Sequence, residues 1–393
     1  MNDVLIVSAR RTPIGSFRGA LSPLSATRLG SAAIAAAVQS AGIAREEVDE
    51  VLMGNVLSAG VGQAPARQAA LFAGLPVSVP CTTINKVCGS GLKAVMLGAQ
   101  AIQLGDAATI VAGGMESMSN APYLLEKARS GYRMGNAEIV DAMIKDGLLD
   151  VYNNYLMGNA GEVCARECQV PREAQDAFSI VSYQRARAAQ QEGRFSKEII
   201  PVEVSHGKGA PVTVGQDEEP PNADFEKIPK LKPAFIKDGT ITAANASKIS
   251  DGAAALVIMS AVKAKSSGLT PLARIVAFSS HAKDPVWFTT APADVIPRVL
   301  AKAGLRQEDI DLFEINEAFA VVTLAVNKIL NIDPERVNVN GGAIALGHPI
   351  GASGARILVT LLHALEQRNL RRGRAALCIG GGEACGMIVE RLT

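Results

Sequence analysis

Short β-branched runs that feed longer stretches with an apolar residue every three or four positions recur along this chain, and they predict strands leading into helices. Val4-Leu5-Ile6-Val7 reads as a strand from the start. Val77 to Ile84 reads as a second, and Leu92, Val95, Met96, Ala99 and Ile102 then follow at helical spacing. Cys88 falls between them and is expected to open that helix, where free backbone N–H groups and the positive end of the helix dipole favour a thiolate. Glu314-Ile315 and Ala376-Leu377-Cys378-Ile379 read as two further strand ends, and Pro171 to Glu192 as a helix with an apolar stripe of Ala174, Ala177, Phe178 and Val181.

The pattern repeats. Ala41-Gly42-Ile43-Ala44-Arg45-Glu46-Glu47-Val48-Asp49 is echoed by Ala303-Gly304-Leu305-Arg306-Gln307-Glu308-Asp309-Ile310-Asp311. Cys88-Gly89-Ser90-Gly91-Leu92-Lys93 faces Gly351-Ala352-Ser353-Gly354-Ala355-Arg356, and Ile110-Val111-Ala112-Gly113-Gly114 faces Leu377-Cys378-Ile379-Gly380-Gly381 in the same order. Shared order at near-shared spacing predicts two copies of one α/β unit, 1–118 and 250–393, about a pseudo-twofold axis. Equivalent helix starts then face each other at the junction. The unmatched stretch 119–249 is expected to be an inserted loop domain for substrate recognition, with 207–233 as loop.

Composition narrows the function without naming it. A net charge of +1 with 20% charged residues gives no electrostatic reason to expect nucleic acid or an anionic membrane as partner. The absence of an 18-residue apolar run predicts no membrane span. Neither a signal peptide nor a transit segment is read ahead of the first strand, and six irregularly spaced cysteines point to free thiols in a reducing compartment, so a cytoplasmic location is expected.

Four stretches carry candidate chemistry. Cys88, followed by small residues that let an acyl group approach, is a candidate nucleophile; a buried structural thiol is the alternative. His348 lies in a glycine-rich loop before a helix start, where a neutral imidazole can take a thiol proton or donate to a developing oxyanion; a ring that only caps its loop is the alternative. Asn316 at a strand end can hold a water or a histidine as an oxyanion donor, whereas Glu317 reads as a cap or pair. Cys378 ends a strand before Gly380-Gly381-Gly382 and suits proton removal from carbon, with the glycine amides as donors. Cys164 and Cys168 lack a nearby histidine or second cysteine pair, so no metal site is expected. Cys385 reads as a bystander and Cys81 as a packing residue.

Together, Asn85-Lys86-Val87-Cys88-Gly89-Ser90-Gly91, Thr242-Ala243-Ala244-Asn245-Ala246-Ser247, Asn316-Glu317-Ala318-Phe319, Gly347-His348-Pro349-Ile350-Gly351 and Cys378-Ile379-Gly380-Gly381-Gly382 resemble the thiolases. The resemblance spans essentially the whole chain and implies a thiolase-like α/β fold and acyl transfer between coenzyme A thioesters. It implies that Cys88 accepts the acyl group, that His348 activates it, and that Cys378 moves a proton on or off the α-carbon. Asn316 is implied to position a water in one oxyanion hole, with the Cys88 and Gly380 amides forming another. Ser247, Lys227, Met157, Ala318 and Phe319 are the implied coenzyme A contacts.

Acetyl-CoA, CoA and 3-ketoacyl-CoA are the implied substrates. No permanently bound cofactor is implied, and a homodimer or homotetramer is. Three positions depart from the family pattern. Leu156 stands where short-chain members often carry His, Pro220-Pro221 stand near the place of a usual arginine, and Glu383-Ala384-Cys385 follows the triple glycine. A cysteine thioester hydrolase, a decarboxylating ketoacyl synthase and a silent acyl-CoA carrier are the competing readings. The first leaves Cys378 without a role, the second needs a second histidine at its place, and the third is disfavoured because every acid–base position is filled.

Overall fold

The computed structural model describes residues 3–205 and 209–392, so Gly207 and Lys208 of the expected loop lie outside the described residues. Nine strands form the body of one sheet: β1 (Val4–Arg11), β2 (Glu50–Gly54), β3 (Cys81–Ile84), β4 (Thr109–Ser117), β5 (Ser250–Ser260), β6 (Ala273–Ala282), β7 (Leu312–Ile315), β8 (Arg372–Ile379) and β9 (Glu383–Arg391). Their order is β3-β2-β4-β5-β1-β6-β9-β8-β7. This order reads the same from both ends. It is centred on a short antiparallel contact of β1 with β6 at Leu5–Arg274 and Ile6–Ala273. A parallel bridge from Phe313 to Val337 stands where β3 stands in the other half.

Side-chain alternation turns this sheet into layers. On one face of the first half, Val51, Met53, Val111, Ala255 and Val257 pack against α1 (Ala26–Ala41). On the opposite face, Leu52, Ile110, Leu256 and Ile258 join Leu377, Ile379, Met387 and Val389 of the second half around two helices, α2 (Ser90–Leu104) and α3 (Ser353–Gln367). The equivalents α1 and α4 (Ala291–Ala303) therefore lie outside, and α2 and α3 lie back to back between the two half-sheets. All five residues of the expected α2 stripe are buried. Where α2 and α3 meet, a side chain on Gly91 would strike Ala355 and one on Gly354 would strike Leu92, so close approach of the two helix starts requires glycine. The short helical turns Arg45–Glu47 and Gln307–Asp309 bear the same one-way cap, with Glu47 accepting from the Ala44 amide at 3.0 Å and Asp309 from the Arg306 amide at 2.8 Å.

Three expectations change. The boundary at 250 fails, because β5 pairs with β1 and β4 and completes the first half-sheet. The insertion thus interrupts the first unit rather than separating two. The strand read from Val77 begins only at Cys81, since the run before it forms a turn. The helix read over 171–192 is present as α5 (Arg172–Gln191), but its buried face is largely polar: Gln175, Asp176, Ser179, Ser182 and Tyr183 are covered, while Ala177 and Val181 are exposed. Hydrogen bonds replace the apolar stripe, with Gln175 donating to Thr240 Oγ1 at 2.9 Å, Asn245 Nδ2 to Asp176 at 3.0 Å and Ser182 to Glu317 at 2.7 Å. This helix grips the loops that carry the site. The segment 209–233 is mainly loop with a short strand, Val212–Val214, paired to Val202–Val204.

Candidate active site

The turn holding Cys88 is built by strain and hydrogen bonds. Val87 adopts φ +46°, a conformation costly for a β-branched residue by about 1–3 kcal/mol. Ser90 secures it, accepting from the Lys86 amide at 2.8 Å and donating to the Val87 carbonyl at 2.7 Å. The helix starts at Ser90, two residues after Cys88. Across the junction Gly380 lies against the Cys88 turn, where a side chain on it would meet Val87 Cγ1 at 3.6 Å, and its amide favours the Cys88 thiolate. Gly381 and Gly382, at φ +88° and +85°, form the tight turn between β8 and β9 that presents that amide. Burial pushes the Cys88 thiol up to about 11, against the pull of the Gly380 and Cys88 amides. Desolvation outweighs the expected stabilisation of the thiolate, so the resting group is a thiol and its attack needs a proton acceptor.

His348 is the candidate acceptor. Its ring is buried, Nδ1 lies 2.6 Å from Ser353 Oγ, and Ser353 donates its own proton to the Pro349 carbonyl at 3.0 Å. The serine can then only accept, so Nδ1 carries the hydrogen and Nε2 offers a lone pair. Nε2 is buried with no hydrogen-bond partner among the described residues. Burial, assisted by Arg356, drives the imidazole down to about 3, which keeps it neutral at any ordinary pH. The backbone is fixed as well: the His348 amide donates to the Lys248 carbonyl at 3.0 Å.

Cys378 is fully buried at the end of β8 and lies within electrostatic reach of Cys88; burial and that neighbour raise its thiol well above the ordinary value. A thiolate formed there is a strong base. Asn316 is also fully buried, and neither its side-chain nitrogen nor its oxygen has a partner among the described residues, so both point to a polar ligand. Glu317 plays no such part. It accepts from Ser182, from Asn338 at 2.9 Å and from the Ile344 amide at 3.2 Å, and so ties the His348 loop to α5.

Of these residues His348 opens on a cavity of about 310 Å3 whose wall also includes Met118, Met143, Leu148, Leu156, Met157, Phe235, Ser247, Lys248, Phe319 and Ile350; Cys88, Cys378, Asn316 and Gly380 lie outside that lining. Cys88 packs against the cluster that contains Met118, Met143 and Ile350, three residues of that lining. Ser247, Met157 and Phe319 of the expected coenzyme A contacts line the cavity. Ala318 does not; its carbonyl accepts from the Ser247 amide at 3.0 Å and holds the wall in place. Lys227 lies outside too, in an adjoining hollow of about 280 Å3 that also contains Tyr183, Ala243 and Lys248. Its ammonium is largely exposed and pairs with Asp224 at 2.9 Å. Lys248 borders both spaces and marks their join.

Sequence reasoning missed Glu116. Buried on β4, it accepts from Asn55 Nδ2 at 2.7 Å and from the amides of Val56, Leu57 and Gly351 at 3.0, 3.2 and 2.9 Å. A glutamate near the end of an apolar strand was the available signal. Ser353 was missed because its role depends on the loop that folds back onto it. Cys385 faces the core and contacts Ser280 Oγ at 3.3 Å, away from the reacting groups. Among the described residues no cluster of three or more histidine, cysteine or acidic side chains is arranged to hold a metal, and no helix is long and apolar enough to cross a membrane.

A mirrored α/β scaffold with a partly covered thiol, a second, buried thiol within its electrostatic reach and a neutral histidine on a neighbouring apolar cavity fits a thiol-dependent acyl-transfer enzyme. Comparisons with known proteins specify the class. The model of the thiolase N-terminal domain matches residues 4–262 and that of the thiolase C-terminal domain residues 269–391. An acetyl-CoA acetyltransferase of Schizosaccharomyces pombe is 53% identical over 391 residues, covering 99% of both chains. A mitochondrial acetyl-CoA acetyltransferase of Bos taurus is 54% identical over 394 residues, covering 100% of this chain and 92% of that protein. The crystal structure of a thiolase from Ascaris suum in complex with coenzyme A superposes with a TM-score of 0.94 at 46% identity, covering 99% of this chain and 100% of the other. The chain belongs to the thiolase family, and it is an acyltransferase by that membership.

The comparisons also correct the expected location. A relative as similar as the bovine one is mitochondrial, so cytoplasm no longer follows. Free thiols fit any reducing compartment, which is why cysteine usage did not discriminate.

Proposed function

We propose that the chain condenses two acetyl-CoA molecules to acetoacetyl-CoA and catalyses the reverse thiolysis. What supports this reading is the meeting of the two halves at the Cys88 turn, where a side chain on Gly89 would strike Ile379 and one on Gly380 would touch Val87, next to Cys378. Cys88 attacks the thioester carbonyl of the first acetyl-CoA while His348 Nε2 takes the thiol proton. The Cys88 and Gly380 amides face the oxyanion that forms; CoA departs as its sulfur takes the Cys378 proton, leaving an acetyl-cysteine and a Cys378 thiolate while His348 keeps the Cys88 proton until the last step returns it. The Cys378 thiolate then removes a proton from the methyl carbon of a second acetyl-CoA. Asn316, through a water, and His348 stabilise the resulting enolate oxygen. The carbanion attacks the acetyl-cysteine and releases acetoacetyl-CoA. No permanently bound cofactor enters this sequence.

Coenzyme A recognition is assigned to the same cavities. Ser247, Met157 and Phe319 receive the pantetheine arm, and the hollow beyond Lys248, with Lys227 at its rim, receives the nucleotide end. The small volume favours short acyl chains, because each methylene that fails to fit costs about 1–3 kcal/mol, although Leu156 in the wall departs from the short-chain pattern. Self-association as a homodimer or homotetramer is supported by apolar side chains of the insertion that face solvent, among them Tyr123, Ile139, Tyr152 and Met134, the last 95% exposed. Light scattering on the purified protein tests that assignment.

The deciding assay is breakdown of acetoacetyl-CoA with and without free CoA. Thiolysis requires CoA and yields acetyl-CoA; breakdown without CoA identifies a hydrolase instead. Repeating it with longer 3-ketoacyl chains tests the short-chain preference.

A further inference from the structure

Two thiols outside the site already described are set for reaction with each other. The helix Met157–Glu167 carries Cys164 on its buried side and is capped at its C-terminus by Cys168; the two sulfurs lie 3.8 Å apart. Cys164 is buried, whereas Cys168 is only partly covered. The Lys328 ammonium sits on the Cys168 carbonyl at 2.9 Å, so a positive charge borders the outer thiol. The terminal turn keeps the pair together, because the Cys168 amide donates to the Cys164 carbonyl at 2.8 Å and the Val170 amide to the Ala165 carbonyl at 2.8 Å, with Gln169 between them at φ +52°. Joining the sulfurs requires their approach to about 2.05 Å, a closing motion within reach of one helix turn.

We propose that Cys164 and Cys168 form a reversible disulfide when the protein meets a low-molecular-weight disulfide such as oxidised glutathione. In the first step the Cys168 thiolate attacks one glutathione sulfur, a protein–glutathione bond forms, the glutathione disulfide breaks, and one glutathione thiolate leaves. In the second the Cys164 thiolate attacks the Cys168 sulfur and releases the second glutathione. Two cysteine thiols are oxidised, one glutathione disulfide is reduced to two thiols, and two protons pass to solvent or the leaving thiolates. Burial holds the Cys164 thiol up to about 12, so the second step accelerates as pH rises through the alkaline range.

The site touches the catalytic centre from behind. Cys164 and Cys378 share one apolar cluster, and the charge of Cys164 bears on Cys378. Closing the pair draws Cys164 toward the helix end and loosens the packing behind Cys378.

Peptide mapping of the full-length protein tests the site independently of the proposed reaction. Trypsin cuts after Arg166, between the two cysteines, so the oxidised form must hold peptides 146–166 and 167–172 together until a reductant separates them. Wild type treated with oxidised glutathione should give this linked species, in a yield that rises with pH. Cys164→Ser should stop at the Cys168 mixed disulfide, and Cys168→Ser should give neither product at these positions. Persistence of the mixed disulfide in wild type, or linkage of either peptide to a different cysteine, overturns the proposal. Cys168→Ala, compared with Cys168→Ser by thermal denaturation, separates loss of the thiol from loss of fold.

Discussion

Ser353 Oγ stands 2.6 Å from His348 Nδ1 and is itself committed to the Pro349 carbonyl, so a single hydroxyl fixes which ring nitrogen of the histidine faces the cavity. The geometry matters because the other tautomer would point a hydrogen, not a lone pair, at the thiol. Ser353→Ala should lower kcat by up to about tenfold, the worth of one neutral hydrogen bond, and leave KM nearly unchanged. Ring nitrogen-15 shifts of His348 provide the discriminating measurement. A variant that keeps the Nδ1–H tautomer in full while losing activity would falsify this assignment.

In the proposed cycle the two thiols divide the work. Cys88→Ala should form no acetyl-enzyme from acetyl-CoA and lose turnover by about four orders of magnitude or more. Cys378→Ala removes the base for the methyl proton but leaves the nucleophile and His348 in place. It should still accumulate acetyl-enzyme, seen by mass spectrometry, yet fail to condense. Equal loss of acylation and condensation in that variant would remove the division of labour.

Glu116 couples the two loops of the site, and its behaviour with pH follows from its surroundings. Burial raises its carboxyl from 4.5 to about 7, against the pull of the Val56, Leu57 and Gly351 amides. A folded-state value above the unfolded one means the folded protein keeps a proton that the unfolded chain gives up. That contribution to stability is present below pH 4.5 and is lost as pH rises through about 7. Glu116→Gln cannot titrate and turns its amide NH2 toward N–H donors. It should destabilise the protein by about 1–3 kcal/mol at low pH, with the gap to wild type narrowing between pH 4.5 and 7. Urea unfolding at several pH values checks this; a gap independent of pH goes against it.

How much of this was legible in the chain varies with the range of the interactions. The α2 stripe, the mirrored caps at Ala44 and Arg306 and the strand ends bearing Cys88 and Cys378 follow local patterns, which a sequence displays directly. The polar buried face of α5 did not, because Gln175, Asp176 and Ser182 are satisfied by Thr240, Asn245 and Glu317 far along the chain. Assignment of β5 to the first half-sheet depends on pairing across the insertion, which periodicity does not encode. The helix-start position of Cys88 is visible in the sequence, while the desolvation that raises its thiol comes from residues far along the chain, among them Met118, Met143 and Ile350.

Two buried arginines on neighbouring elements make opposite predictions. Arg356 on α3 pairs with Glu314 at 3.1 Å, and both side chains are buried. Arg374 on β8 is fully buried, and none of its guanidinium nitrogens has a hydrogen-bond partner among the described residues; its one electrostatic contact is the face of Phe313, 5.3 Å from the ring centre. Burial drives its pKa well below the ordinary value, the mark of a cation held without compensation. A single aromatic face returns only about 2 kcal/mol, less than the several kcal/mol of desolvation. Arg374→Met keeps the bulk and removes the charge, so it should be neutral or stabilising by about 1–4 kcal/mol, whereas Arg356→Met strands Glu314 and should cost about 3–5 kcal/mol. Thermal unfolding of both variants decides the matter. If Arg374→Met melts well below wild type, the guanidinium makes a stabilising interaction that the aromatic contact alone does not supply.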